Sequence, residues 1–61
     1  MEQGKLKQLQ IARGDGWLKA ASQMFTQIGK VSALLLAAMW YRDAGLTQHE
    51  RACKIAAKEL G

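Results

Sequence analysis

The chain has 61 residues, 49% of them hydrophobic and 23% charged, with no proline, a single cysteine and a formal charge of +4. A chain of this size buries only about 60% of the surface that its unfolded form exposes, so one small core is all it can build. The lone Cys53 closes no intrachain disulfide, and one His with one Cys falls short of the four ligands of a structural zinc site. These counts predict one small domain in a reducing, cytoplasmic setting, with neither a cofactor nor a metal.

Ala, Leu, Gln, Lys and Met dominate, and they lose little rotamer freedom in helices, so the predicted class is all-α. The first segment, 2–13, spaces Leu6, Leu9 and Ile11 among Lys5, Lys7, Arg13 and several Gln. Its apolar edge is thin, which predicts an amphipathic N-terminal arm or helix. Glu2, Gln3 and Lys5 also place polar residues where a secretory signal has an apolar core, so no export signal is expected there. Gly14-Asp15-Gly16 then predicts a break, with Asp15 capping a helix that starts near Trp17.

The second segment, 16–43, sets Leu18, Ala21, Phe25, Ile28, Leu35 and Met39 on one stripe with Ser32 between them, and Phe25 is expected in the core. A straight helix of that length is about 42 Å long. A compact chain of 61 residues is roughly 27 Å across. Either the helix bends or breaks at Gly29, or it finds apolar partners on other copies. From Val31 to Tyr41 apolar residues surround the helix, as in a helix buried on all sides. The run is too short to span a bilayer, which takes about 20 residues.

Asp43-Ala44-Gly45 predicts the helix end, with Gly45 in the left-handed conformation, and Thr47 with Glu50 has the form of a capping box. The third segment, 47–60, puts His49, Cys53, Ala56 and Leu60 on one side and pairs Glu50 with Lys54 four residues on. Leu46 to Gly61 resembles the opening helix of a helix-turn-helix unit, with an alanine-rich helix ending at Leu-Gly and no recognition helix after it. The expected architecture is therefore a helical hairpin of 16–43 and 47–60 behind the arm, completed by oligomerisation.

His49 and Cys53 have the spacing of a thiolate–imidazole pair, but no third orienting group accompanies them, so no enzyme is expected. Gly29, Ala33 and Ala37 repeat every four residues, a spacing that lets helices approach closely. The predicted role is protein binding: self-association, or occlusion of a partner's surface in an inhibitory or regulatory manner. The expected interface is Val31, Leu34, Leu35, Ala38, Met39, Trp40, Tyr41 and Trp17, with Trp40 and Tyr41 as anchors. Two other classes fit the composition. One is a basic nucleic-acid binder touching phosphates through Lys5, Lys7, Arg13 and Lys19. The other is a structural subunit of a helical assembly, or a membrane-surface peptide of the bacteriocin kind.

Overall fold

A computed structural model describes residues 2–61, with side chains from residue 4 onward. It contains three helices, α1 (Glu2–Gln23), α2 (Gln27–Asp43) and α3 (Thr47–Leu60), and no strand among the described residues. The all-α class is as the composition predicts. The division of the chain is different, because Gly14-Asp15-Gly16 lies inside a continuous α1 and the break falls at 24–26.

Packing explains why α1 runs through its glycines. A Cβ on Gly14 would stand 2.7 Å from Cε1 and 2.9 Å from Cζ of Tyr41, so the bare backbone at this point lets the Tyr41 ring lie directly on α1. Asp15 does not cap a helix. Its carboxylate accepts a hydrogen bond from the Tyr41 hydroxyl instead. The arm and the long helix of the prediction are thus replaced by two helices of comparable weight, joined at Met24-Phe25-Thr26.

Thr26 starts α2. Its backbone is extended (φ −101°, ψ 150°) and its Oγ1 accepts the Gly29 N–H at 3.0 Å, satisfying one of the free amides of the first turn. Gly29 does not break the helix. A Cβ there would come within 2.9 Å of both Thr26 Oγ1 and Met24 Sδ, so glycine leaves room for the cap and the turn before it.

The end of α2 is a Schellman turn. Leu46 N–H bonds Tyr41 O at 2.9 Å and Gly45 N–H bonds Arg42 O at 3.0 Å, with Gly45 at φ 81°, as its position predicts. Leu46 also packs back on the Tyr41 cluster, which is the apolar contact such turns commonly carry. This connection is so short that Thr47 is already helical, so the predicted capping box does not form and no side chain caps α3. Glu50 instead holds Lys54 at 2.9 Å.

The helix α2 packs against both α1 and α3, whereas α1 and α3 do not touch along their backbones among the described residues. Ala21 meets the Ala33–Leu34 level of α2 while Gly14 meets Tyr41, so α1 and α2 run in opposite directions. Likewise His49 lies against Tyr41 and Leu60 reaches the Val31 level, so α3 also opposes α2. The Cα trace measures 39 × 19 × 11 Å. Its smallest extent is less than two stacked helical layers require, about 13 Å from the helix separation and radius. The molecule is an open single layer with α2 in the middle.

Candidate interaction surface

The inward side of α2 is built from small residues and one tyrosine. Ala33, Ala37, Ala38 and Tyr41 are at most 2% exposed, with Leu34 close behind. These residues form two clusters, one with Ala21 and Ala57 and one with Cys53, and Trp17 packs against both. Alanines at this seam let the helix backbones approach closely, as the Gly29, Ala33, Ala37 spacing suggests.

Tyr41 sits at the centre of the second cluster. Its ring centroid is 5.1 Å from that of His49, in a tilted arrangement. Burial, the hydrogen bond to Asp15 and the charge of that carboxylate push its phenol well above the ordinary value of 10.0. Burial also raises the Cys53 thiol above 9.0, so near neutral pH it stays protonated and packs as a small apolar group. His49 and Cys53 share no hydrogen bond, and among the described residues no three His, Cys, Asp or Glu side chains gather as a metal site.

The residues expected at an interface are divided by this packing. Leu34, Ala38 and Tyr41 belong to the chain's own core, so Tyr41 is not available as a surface anchor. Val31, Trp17 and Trp40 are half-buried, and the Trp40 ring lies 5.8 Å from the Arg13 guanidinium carbon, a cation–π distance. Leu35 and Met39 face outward.

Two residues outside the expected set accompany them. Phe25, expected in the core, is 102% exposed, Ile28 is 82% exposed, and Leu35 and Met39 are 45% and 50% exposed. The turn at 24–26 is the reason. It separates these residues from Leu18 and Ala21, with which an unbroken helix would align them, and re-phases α2 so that its alanine face turns inward. Ile28, Ser32, Leu35, Met39 and Arg42, all within α2, are exposed and recur at alternating steps of four and three, while the exposed Phe25 lies in the turn before the helix and carries no helical phase. That is the spacing of a coiled-coil seam. The signal was present in the sequence, but it could not be told from a core stripe until the position of the turn was known.

The charges are arranged differently. Lys5, Lys7, Arg13 and Lys19 are exposed, but helical geometry puts Lys7 about 160° around α1 from Lys5, so the four share no single face. On α3, Arg51, Lys54 and Lys58 line one shallow groove with Thr47, Glu50 and Ile55. No helix of the described residues is long and apolar enough to cross a membrane. No family model, curated protein or solved structure matches the chain.

Proposed function

We propose that this chain is a non-enzymatic helical module that works by protein–protein docking, with self-association its primary form, through the outward face of α2. The observation that carries the reading is the exposed, coil-spaced stripe of Ile28, Leu35 and Met39, with the fully exposed Phe25 in the turn beside it. A helix that already buries its opposite side and still presents such a stripe has the pattern of a bundle awaiting another helix. The expected interface therefore shifts. Leu35 and Met39 remain in it, Phe25 and Ile28 join, and Tyr41 acts from behind by fixing α2 on α1.

Sedimentation velocity over a hundredfold range of concentration tests this reading. The sedimentation coefficient of the parent chain is expected to rise with concentration, and that of Leu35→Glu to stay at the monomer value with helicity unchanged. Leu35 lies in the stripe and outside the core clusters, so this charge blocks docking without filling the fold's interior. A parent chain that stays monomeric throughout refutes self-association.

A further inference from the structure

Three features of the molecule bear on what covers the α2 face. The first is area. The accessible surface is 4694 Å², against about 3,900 Å² for a compact folded chain of 6.7 kDa. The surplus of about 800 Å², which belongs to the open layer as a whole, is of the size each partner contributes to a stable interface. The radius of gyration, 11.6 Å against about 10.5 Å for a compact chain of this length, reports the same openness.

The second is charge. The chain as a whole carries +4, which opposes the approach of another copy. The exposed side of α2 is locally neutral, however, because Arg42 and Asp43 stand together there at 3.8 Å. The larger cation excess is elsewhere, on α1, where Lys5, Lys7, Arg13 and Lys19 outnumber Glu2 and Asp15. An acidic foreign partner would be drawn to α1, whereas a second copy meets no net charge on the α2 face.

The third is the order of residues along the stripe. In an antiparallel pair, seam positions of the first type face those of the second. Ile28 then faces the partner's Met39 and Ser32 faces the partner's Leu35, each layer occurring twice. Two large apolar side chains meet, and a small residue receives a larger one. A parallel pair would stack Arg42 on the partner's Arg42 and Ser32 on the partner's Ser32. Antiparallel docking moves the two arginines about 25 Å apart, well beyond the screening length of about 8–10 Å.

We infer that the α2 face is occupied by a second copy of this chain, docked antiparallel about a two-fold axis at the level of Ala33 and Leu34. The inference rests on the docking role proposed above and adds the partner, the direction and the register.

Disulfide trapping tests it. Two chains are made in a Cys53→Ala background, one with Ile28→Cys and one with Met39→Cys, the second carrying a tag that changes its mass. They are mixed in equal amounts, equilibrated in a glutathione redox buffer and resolved by mass. The expected product is the mixed disulfide, at least tenfold over either homodimer. A dominant Ile28→Cys homodimer overturns the antiparallel register while leaving self-association intact. No cross-link, with a parent chain that sediments as a monomer, overturns the inference and self-association together. No cross-link with a parent that does associate overturns the α2 register alone. If either variant loses helicity, Ser32→Cys and Leu35→Cys probe the central layer in the same way.

Discussion

Replacing Gly14 by alanine separates tertiary packing from helix propensity, because Gly16 supplies a control in the same helix. In an exposed helix interior, glycine to alanine stabilises by about 0.8–1 kcal/mol. Gly16 has nothing within 4 Å of where a Cβ would sit, so Gly16→Ala is expected to gain about that amount. At Gly14 the new methyl meets three atoms of the Tyr41 ring between 2.7 and 3.0 Å. The ring is 1% exposed, held by the Ala37, Ala38 and Cys53 cluster on one side and by Asp15 at its hydroxyl. To restore ordinary contact it must shift by several tenths of an ångström, a displacement of the kind that costs roughly 1–3 kcal/mol in a packed core. The shift also strains the hydroxyl's bond to the carboxylate. We expect Gly14→Ala to lose up to about 2 kcal/mol net, while Gly16→Ala gains. At about 4–8 °C per kcal/mol for so small a chain, thermal unfolding followed by circular dichroism resolves the two variants easily. Equal stabilisation by both substitutions would refute the close approach of Tyr41 to α1.

Other outcomes follow from the same contacts. Tyr41→Phe keeps the ring and removes the hydrogen bond to Asp15; because that carboxylate is exposed and rehydrates, the expected loss is about 1 kcal/mol by urea titration. Tyr41 also sets an alkaline limit. Its raised phenol keeps its proton in the folded state while the unfolded chain begins to lose it near pH 10, so this contribution is complete below pH 10 and is lost as pH rises further, by up to about 1.4 kcal/mol per pH unit. Cys53 acts with the same sign from about pH 9. Melting curves between pH 8 and 11 should show Cys53→Ala flattening the first part of the decline and Tyr41→Phe the second, and a Tyr41→Phe chain that declines as steeply as its parent above pH 10 contradicts the assignment. Thr26→Ala removes the cap of α2 and is expected to cost about 1 kcal/mol, read by the same unfolding titration; no loss would mean that the turn at 24–26 is held without it.

Helix class and the turn at Gly45 were legible in the residues themselves, since composition favours helix throughout and a glycine after Asp43-Ala44 has one common use. The break between the first two helices was not. Gly14-Asp15-Gly16 carries the local chemistry of a turn, and only the distant Tyr41 gives its glycine another purpose, a close contact that no local window contains. Conversely, Met24-Phe25-Thr26 has neither glycine nor proline, and its one signal is Thr26 ahead of an apolar run. Misplacing that turn carried Phe25 and Ile28 into the core. The apolar excess around Val31–Tyr41 is plain in the sequence, but its division between an alanine side turned inward and a leucine and methionine side turned outward follows from the direction in which α2 leaves the turn. Trp40 and Tyr41 show the same limit. Their adjacency requires them to point apart, and which one enters the core is decided by Gly14.

Methyl-resolved NMR on dilution addresses the central claim most directly, because it reads the face and the association in one experiment. Spectra of the chain labelled at Ile, Leu and Met methyl groups would be recorded across a hundredfold range of concentration. The account expects the Ile28, Leu35 and Met39 signals to shift together along one binding curve, while Leu6 on α1 and Ile55 on α3, equally exposed but outside the stripe, stay fixed. Shifts confined to Leu6 or Ile55, or no shift anywhere, would contradict it.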